Sequence, residues 1–459
     1  MFHKILVVLL LSLLSISIGQ STNNKWYSEG NFAPSKRLEI TVVNTLGFDR
    51  KDCPVVITRE EFPVKKLHEM WVTIVDTSLP PHPEPTPEEF AFAGGHGIRG
   101  EKNGHQIFYQ LDDLDKDGIW DELFFQTDIK ANESKTLFIY FGFSGRGWNP
   151  HGTHATIGSY MRHIIPWWES ANIGWKLWFP TSVDMYGKRK PVLMSDEMCK
   201  YNYCGYYGVP KANFDYGSDI MGVGGSFGAG GIGLFEFPEK PDSISRPIFT
   251  PREEEKISER NFNEDQITDT RYSFDVVVNG PMRSTIRVRT MNWNTGKGFY
   301  ELVQDYTAYT NQNYSTCKVT FTKFFPHKND VTKACGIKAH KDKEGNIVDK
   351  GIAIRTGSEE VADPDDDTGQ KAHKVDFIGS ALIVKDKFLP EYQYVKDFGR
   401  NHTFKVQADN NNTFEYMIAG AWSEGAVYNT PVSFIEYVKQ TAVEYNNPLQ
   451  VRFGQLEEK

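Results

Sequence analysis

The chain has 459 residues, a formal net charge of −9 at pH 7 and a hydrophobic content of 39%. A mildly acidic protein is a poor partner for nucleic acid, because phosphate backbones bind to basic faces. Five cysteines are too few for a disulfide scaffold at this length. Cys199 and Cys204 are close enough in sequence to bridge in an oxidising compartment, and free thiols fit equally well.

The first 19 residues have the layout of a cleaved secretory signal. Lys4 precedes an apolar run from Ile5 to Ile18, and small residues stand at positions 17 and 19. The run is too short to span a bilayer comfortably, and no later stretch approaches the roughly 20 apolar residues that a spanning helix needs. We therefore expect a signal peptide over 1–19, a mature chain without a membrane span, and a periplasmic or secreted location.

Segments rich in β-branched and aromatic residues recur along the chain and predict strands. The clearest are Arg37 to Asn44, Ser273 to Gly280, Thr285 to Trp293, Tyr300 to Thr310 and Cys317 to Phe325. Ile286 and Val288 alternate with Arg287 and Arg289, which predicts one buried face and one cationic face. So many strands, without alternating helices, predict an all-β fold of stacked antiparallel sheets.

A single segment has a convincing helical period. From Pro431 to Tyr445, the residues Phe434, Val438 and Val443 could form one apolar stripe. Three polar stretches predict loops, one proline-rich, one highly charged and one acidic: Asp76 to Phe90, Thr250 to Gln266 and Gly357 to Gln370. We expect one large β-sandwich domain over 20–459, with possible sub-regions 20–150, 151–270 and 271–459.

The stretch DDLDKDGIWDE has the aspartate spacing of a calcium loop. Asp113, Asp115, Asp117 and Asp121 occupy positions 1, 3, 5 and 9, but Phe124 stands where the pattern requires a bidentate glutamate. The flanking sequences are typical of strands, so a hairpin turn in which Asp and Gly supply the backbone geometry explains the motif better. Any Ca²⁺ bound here is expected to be structural, and we expect no required cofactor.

The glycine-rich stretch GVGGSFGAGG, from Gly222 to Gly231, lacks the GxxxxGK[ST] spacing of a phosphate-binding loop. No helical pattern follows it. Close strand packing, or a cleft floor at which a ligand approaches the backbone, explains these glycines better than a nucleotide site.

The densest group of functional side chains lies between positions 151 and 189. It comprises His151, His154, Arg162, His163, Trp167, Trp168, Glu169, Trp175, Trp178, Tyr186, Lys188 and Arg189. Each tryptophan taken alone is better explained as a core residue. Together the group is typical of a carbohydrate site, because aromatic faces stack on sugar rings while cations bind a uronate carboxylate or a sulfate. His96, Arg99 and Tyr207 add similar groups elsewhere in the chain.

These residue types fit β-elimination from a uronic acid. A cation such as Arg162 would neutralise the sugar carboxylate, His163 or Tyr207 would take the C5 proton, and an acid would protonate the oxygen that leaves C4. We assign catalytic roles to Arg162, His163, Tyr207 and His154. The expected substrate-binding residues are His96, Arg99, Trp167, Trp168, Glu169 and Lys188. A glycosidic leaving oxygen would make a lyase and a free hydroxyl a dehydratase, and the residues do not separate the two.

Two other functions remain open at this point. A glycoside hydrolase needs a pair of carboxyl groups, which Glu169 could form with Asp184 or Asp219. A non-catalytic glycan-binding protein would explain the aromatic residues without requiring histidine and tyrosine beside them.

A set of ordered motifs resembles a bacterial family of exported proteins associated with polysaccharide degradation. From about Ile40 to Trp422 they are TVVNTLGFDRKDCPVVI, YQLDDLDKDGIWDELFFQTDI, WWESANIGWKLW, VDMYGKRK, DIMGVGGSFGAGGIGLF, NGPMRSTIRV and AGAWSEG. The family resembles galactose-mutarotase-like β-sandwich proteins, and one type within it is an ulvan oligosaccharide dehydratase. The resemblance implies a large supersandwich with few helices. It also implies removal of water from the non-reducing-end uronate of acidic, ulvan-type sulfated oligosaccharides, which gives a 4,5-unsaturated uronate.

Overall fold

The computed structural model describes ten stretches of the chain. They are residues 25–64, 72–92, 100–142, 150–160, 163–178, 182–197, 213–214, 216–247, 270–362 and 372–459. Within them the chain consists mainly of antiparallel strands, and this confirms the expected all-β sandwich.

The strands of the amino-terminal third are short. They are β1 (Ser28–Glu29), β2 (Lys36–Val43), β3 (Arg50–Thr58), β4 (Val72–Asp76), β5 (Glu101–Lys102), β6 (His105–Ile107), β7 (Tyr109–Asp112), β8 (Glu122–Ile129) and β9 (Ser134–Phe141). The central strands are β10 (Thr153–Tyr160), β11 (His163–Ser170), β12 (Ile173–Trp178), β13 (Ser182–Lys188), β14 (Asn213–Phe214), β15 (Gly217–Asp219) and β16 (Gly231–Phe235).

Longer strands follow in the carboxy-terminal half. They are β17 (Arg271–Asn279), β18 (Arg283–Asn294), β19 (Gly298–Tyr309), β20 (Tyr314–Pro326), β21 (Thr332–Lys338), β22 (Asn346–Asp349), β23 (Ile352–Ala362), β24 (Ala372–Val384), β25 (Glu391–Val395), β26 (Asn401–Val406), β27 (Thr413–Trp422) and β28 (Gln450–Glu458). The α-helical segments in the described stretches are Pro87–Phe92, Ser195–Glu197 and Pro431–Asn446. The five strands predicted above are all present, with ends that agree to within a few residues.

The amino-terminal strands form a small sandwich. A five-stranded sheet in the order β28-β2-β9-β4-β6 faces a three-stranded sheet in the order β3-β8-β7. Leu38, Ile40, Phe125 and Ile139 are among the residues of their shared core. The last strand of the chain pairs with β2, so that Ile40 lies opposite Phe453. This sandwich is therefore completed by residues far outside the expected sub-region 20–150.

The larger core lies between an eight-stranded sheet and two smaller ones. The large sheet has the order β17-β18-β19-β20-β27-β24-β23-β22, and the others are β10-β11-β12-β13-β15-β14 and β16-β21-β26-β25. Trp168 and Trp175 lie in this core, where the ring of Trp168 is 4.7 Å from that of Tyr306. Burying a large apolar side chain contributes roughly 1.5–3 kcal/mol, so this interface is a main source of stability.

The predicted alternation in β18 is confirmed. Ile286 and Val288 are fully buried, whereas Arg287 and Arg289 point to the other face and pair with acidic residues of neighbouring strands. The alternation follows from the two-residue period of a strand, which sends successive side chains to opposite faces.

The predicted helix is present over Pro431–Asn446, but one member of its stripe is wrong. Phe434 and Val438 are buried as expected, whereas Val443 is 43% exposed. Ala442 is buried in its place, because a spacing of four residues keeps side chains on one face of an α-helix. The stripe packs on the eight-stranded sheet, where the rings of Phe377 and Phe434 are 6.0 Å apart.

Two of the expected loops are shorter than the sequence suggested. The proline-rich stretch ends in the helix Pro87–Phe92, and strand β23 continues through the start of the acidic stretch to Ala362. The charged stretch from Thr250 to Gln266 lies outside the described residues, as do the signal segment 1–19 and both Cys199 and Cys204.

Three cysteines in the described stretches, Cys53, Cys317 and Cys335, are free and buried. Burial raises the pKa of the Cys317 thiol to about 12, so this thiol stays protonated at neutral pH. Within the same stretches, the helices are too short or too polar to cross a membrane.

Candidate functional site

The two faces of the six-stranded sheet differ sharply in chemistry. One face carries Trp168 and Trp175 and packs into the large core. The opposite face carries Trp167, Lys176 and Asp184, which are Cα partners across neighbouring strands: Trp167 with Lys176, and Lys176 with Asp184. Directly opposed residues in a sheet project to the same side, so an aromatic ring, a cation and a carboxylate lie in one row. We call this side the polar face.

Lys176 is the centre of a charged group on the polar face. Its Nζ atom lies 3.1 Å from Asp184 Oδ2 and 3.2 Å from Asp219 Oδ2. It also lies 3.1 Å from the hydroxyl oxygen of Tyr186. The Lys176 and Asp184 side chains are nearly inaccessible, whereas Asp219 is 23% exposed. We call these four residues the Lys176 cluster; it joins strands β12, β13 and β15 and reaches solvent through Asp219.

Burial raises the pKa of the Asp184 carboxyl to about 7. Desolvation is the largest cause, the charge of Asp219 adds to it, and Lys176 offsets part of the shift. One ammonium group cannot fully balance two carboxylates in a low-dielectric site, so the more buried carboxyl retains its proton. A carboxyl that titrates near neutral pH can donate and accept a proton at working pH.

Aromatic rings surround the Lys176 ammonium. Its Nζ atom lies 4.8 Å from the ring centroid of Trp178, 5.5 Å from that of Trp167 and 4.7 Å from that of Tyr186. These distances are typical of cation–π contacts. Trp178 is the more exposed of the two indoles, and it is therefore the ring of this group best placed to meet a ligand.

A second charged group lies within electrostatic range of the Lys176 cluster. Burial lowers the pKa of Lys338, the charges of Arg355 and Arg400 lower it further, and Glu359 and Asp184 offset part of the shift. The Lys338 ammonium donates to the carbonyl oxygen of Gly222, at the start of the glycine-rich stretch. We call Lys338, Arg355 and Arg400 the cationic group.

Arg355 is incompletely paired. It is 2% exposed, and one Nη atom contacts Glu359. Its Nε and Nη1 atoms have no hydrogen-bond partner among the residues that the structure describes. His340 also lies near Glu359, with its Nε2 atom 3.8 Å from the same carboxylate oxygen. An excess of positive charge near Asp184 favours an anionic ligand.

Close packing explains one glycine of the glycine-rich stretch, Gly228. Gly228 has a φ of 61°, and a Cβ atom there would lie 2.1 Å from the carbonyl oxygen of Val183. Only glycine fits this close approach to strand β13 without strain. Gly222, Gly224 and Gly225 have open space around them, which is compatible with the expected cleft floor.

Glu169 and Lys188 form a buried ion pair on the same polar face. Lys188 also donates to the carbonyl oxygen of Val192, and Glu169 accepts from the backbone amides of Met194 and Ser195. Burial lowers the pKa of Lys188, and Glu169 offsets part of that shift. Both side chains are at most 1% exposed, so their polar atoms hold the segment after β13 in place. The substrate-binding role expected for them needs an accessible surface that they lack here.

The same correction applies to the paired tryptophans. Trp167 is 3% exposed and Trp168 is fully buried. The indole nitrogen of Trp168 donates to Ser315 Oγ at 2.8 Å, across the large core. A ring without accessible surface cannot stack on a sugar from solvent, so these two residues stabilise the fold. The strand alternation predicts opposite faces for neighbours, and it does not tell which face is covered.

The remaining predicted residues are partly accounted for. His154 lies on β10 opposite Glu169, and its Nε2 atom is 3.1 Å from Asp196 Oδ1. His163 begins β11, but its side chain lies outside the described part. His96, Arg99, Arg162 and Tyr207 lie wholly outside it. The structure therefore places His154, Glu169 and Lys188 together and leaves the roles of the other residues as predictions.

The aspartate-rich motif forms a turn between β7 and β8. Donor oxygens of Asp113, Asp115 and Asp117 lie within 4.8 Å of one another. Asp121 instead accepts the backbone amide of Leu114 at 2.6 Å. Asp113 likewise accepts three backbone amides, as expected of a hairpin turn stabilised by side chains. Structural Ca²⁺ at this turn stays a prediction.

A comparison with domain families gives one match over most of the chain. The family described as a domain of unknown function, DUF4861, matches residues 42–451. The chain belongs to this family. A search of curated proteins finds no match to this DUF4861 chain.

The solved structures similar to this DUF4861 chain are remote. An alpha-mannosidase from Enterococcus faecalis V583 is 10% identical with a TM-score of 0.43, over 92% of this chain and 46% of the other. A protein in glycosyl hydrolase family 38 from Enterococcus faecalis is 8% identical with the same TM-score, over 92% and 48%. The DUF4861 chain thus spans about half the length of these proteins.

Lys176 is absent from the residues predicted from the sequence of this DUF4861 chain, as is the role of its neighbours. A signal was present in SVDMYGK, where Asp184, Tyr186 and Lys188 alternate with the apolar Val183 and Met185. This two-residue period predicts a polar face on β13. On the partner strand, IGWKLW, Lys176 and Trp178 are two residues apart, so the same period places this cation and an indole on one face.

Proposed function

We propose that the protein is a carbohydrate-active carbon–oxygen lyase, more narrowly an oligosaccharide dehydratase. Its proposed substrate is the non-reducing-end uronate of an acidic, ulvan-type sulfated oligosaccharide, a choice that follows the sequence resemblance. The main structural support is the Asp184 carboxyl, whose pKa is about 7 and which lies 3.1 Å from Lys176. The export signal supports a periplasmic or secreted site of action.

In the proposed reaction, the proton for the leaving oxygen comes from the buried Asp184 and reaches the substrate through Asp219, the member of the Lys176 cluster that is 23% exposed. A base removes the C5 proton, the released electron pair forms the C4–C5 double bond, and the C4–O bond breaks. The departing hydroxyl takes the proton that Asp184 releases through the Lys176 cluster and leaves as water. His163 and Tyr207 remain the predicted bases. Lys176 positions Asp184 and keeps its pKa from rising further.

The cationic group supports the anionic character of the proposed substrate. Removal of the C5 proton builds negative charge on the sugar carboxylate, so a fixed cation beside it lowers the barrier. Lys338 is partly exposed and Arg400 is exposed, and the charges of both Arg400 and Asp184 act on Lys338. We assign them, with the predicted Arg162, to binding the uronate carboxylate or a sulfate ester.

The glycoside hydrolase alternative loses one of its candidate groups. Glu169 is saturated by Lys188 and by backbone amides, so it has no free role as an acid or a nucleophile. Asp184 and Asp219 remain as a carboxyl pair bridged by Lys176. A polysaccharide lyase shares the elimination chemistry and differs in the group that leaves C4.

Product analysis tests the proposal. Oligosaccharides with a saturated uronate at the non-reducing end are incubated with the protein, and ultraviolet absorbance and mass spectra are followed together. The proposal predicts new absorbance from the unsaturated uronate and a product lighter by one water at unchanged chain length. Shorter fragments with unsaturated ends would assign a polysaccharide lyase instead. Shorter saturated fragments would assign a hydrolase, and binding without turnover would assign a glycan-binding protein.

A further inference from the structure

A second group of functional side chains lies in the amino-terminal sandwich, in sheets separate from the Lys176 cluster. His82, Glu101 and His105 each place one donor atom within 4.8 Å of the other two. His105 Nδ1 lies 3.1 Å from Glu101 Oε2. The imidazole rings of His82 and His105 are 4.3 Å apart between centroids. Two imidazoles and one carboxylate therefore converge on a single point.

Several hydrogen bonds fix the position of the Glu101 carboxylate in this group. The Glu101 side chain is fully buried, and its Oε1 atom accepts from the Tyr27 hydroxyl at 3.0 Å and the Gln106 amide at 2.7 Å. Its Oε2 atom accepts the backbone amide of His82 at 2.9 Å. Hydrogen bonds of this kind orient carboxylate ligands at metal sites.

The two histidines belong to different segments of the chain, and Glu101 contacts both of them. His82 belongs to the proline-rich stretch after β4, and His105 begins β6. The backbone amide of Glu101 donates to the carbonyl oxygen of His82 at 3.0 Å. His82 is exposed and His105 is partly exposed, so the point at which the donors converge is open to solvent on one side.

The donor types and spacing fit a tetrahedral transition-metal ion. Zinc bonds to nitrogen and oxygen are about 2.0–2.2 Å long, which separates neighbouring ligands of a tetrahedron by about 3.4 Å. The observed separation of 3.1 Å for one pair is close to that value, and the other two pairs lie within 4.8 Å. Calcium and magnesium prefer sets of oxygen ligands, so two imidazoles favour zinc.

We propose that His82, Glu101 and His105 bind a Zn²⁺ ion, with water as the fourth ligand. The ion ties the proline-rich stretch to strands β5 and β6. The ion gives the buried Glu101 carboxylate a positively charged partner. The alternative arrangement is a His105–Glu101 ion pair without metal.

The test uses full-length protein that a chelator has stripped of metal. Zn²⁺ is titrated calorimetrically, and Co²⁺ is added to a second sample to record the visible absorption of a tetrahedral nitrogen and oxygen site. We expect one ion per chain, a Co²⁺ spectrum and a higher melting temperature with Zn²⁺. His82→Ala and His105→Ala should weaken Zn²⁺ binding by about 100-fold or more.

A matched control separates this site from ordinary histidine–carboxylate pairs. His373 Nε2 lies 2.7 Å from Glu424, but that pair has a single imidazole. His373→Ala should leave Zn²⁺ affinity unchanged. Because His82 is exposed, His82→Ala keeps the fold intact even if the His105 variant is unstable. Failure of the wild type to bind Zn²⁺, or unchanged affinity in His82→Ala, would overturn the proposal.

Discussion

The polar face of the six-stranded sheet carries two buried charge groups that differ in balance. In the first, Glu169 and Lys188 pair one anion with one cation, and backbone groups satisfy their remaining polar atoms. In the second, Lys176 faces both Asp184 and Asp219, and Asp219 is 23% exposed. Both groups lie on the same face of the same sheet, so their position in the fold does not by itself explain the difference in charge balance.

The difference supports the proposed division of roles between the two groups. A balanced and saturated pair has little reason to exchange a proton, and removing one partner leaves an uncompensated buried charge. An unbalanced group shifts a pKa toward neutrality and has an opening to solvent, as functional sites often do. We therefore assign stability to the Glu169–Lys188 pair and proton transfer to the Lys176 cluster.

The largest expected effect follows from Asp184→Asn. This change removes the proposed source of the proton with little change in shape, so kcat/KM for unsaturated uronate formation should fall by about 10²–10⁴-fold. The melting temperature should stay the same or rise, because a buried carboxyl is lost. Asp305→Asn is the matched control, since Asp305 is a partly buried aspartate that pairs with Arg287 on another sheet. Equal activity in the two variants would remove Asp184 from the mechanism.

Glu169→Gln should act on stability instead. It leaves the Lys188 ammonium buried without its anion, at a cost of about 3–5 kcal/mol in the free energy of unfolding. Urea denaturation measures this cost. The double variant Glu169→Gln with Lys188→Met should recover part of the loss, because the unpaired charge is then gone. A double variant as unstable as the single one would show that the pair is not the source of the effect.

The pH dependence of stability distinguishes the two groups further. The pKa of Asp184 is about 7 in the folded protein and ordinarily 3.8, so the folded state keeps a proton that the unfolded chain releases. Stability should therefore fall as pH rises from about 4 to 7, by at most about 1.4 kcal/mol per pH unit from this residue. Denaturation of wild type and Asp184→Asn across this window measures the contribution. Identical slopes would contradict the raised pKa.

The smallest effect is expected at an exposed pair. Arg289 and Asp275 are 41% and 39% exposed, so solvent screens their attraction. Arg289→Ala should change the free energy of unfolding by less than about 1 kcal/mol. Urea denaturation beside Glu169→Gln gives the contrast directly. A loss as large as that of Glu169→Gln would mean that solvent exposure does not determine how much an ion pair contributes to the free energy of unfolding.

Much of the fold was predictable from local patterns. The two-residue alternation of Ile286 and Val288 with arginines fixed the buried face of β18, and it was confirmed. The return of the last strand to pair with β2 was not predictable, because no local pattern specifies a partner about 400 residues away. The error at Val443 has a simpler cause: a stripe spaced by five residues drifts off the buried face of a helix.

The candidate site was predictable only in part. The density of aromatic and charged residues pointed to the six-stranded sheet that carries the proposed site, but Trp168 lies on the core side and the polar atoms of Glu169 are already paired. Composition gives residue types, whereas burial and pairing depend on which strands cover each face. Lys176 was not predicted, because its importance comes from meeting Asp184 and Asp219 across two strands.

The most direct test of the central claim follows the oxygen atoms. A uronate-terminated oligosaccharide with a reduced far end is incubated with the wild-type protein in water enriched in heavy oxygen, and the product is weighed by mass spectrometry. Elimination predicts a product lighter by one water, with no heavy oxygen, and almost none of it with Asp184→Asn. Fragments that contain heavy oxygen would mean hydrolysis and would contradict the account.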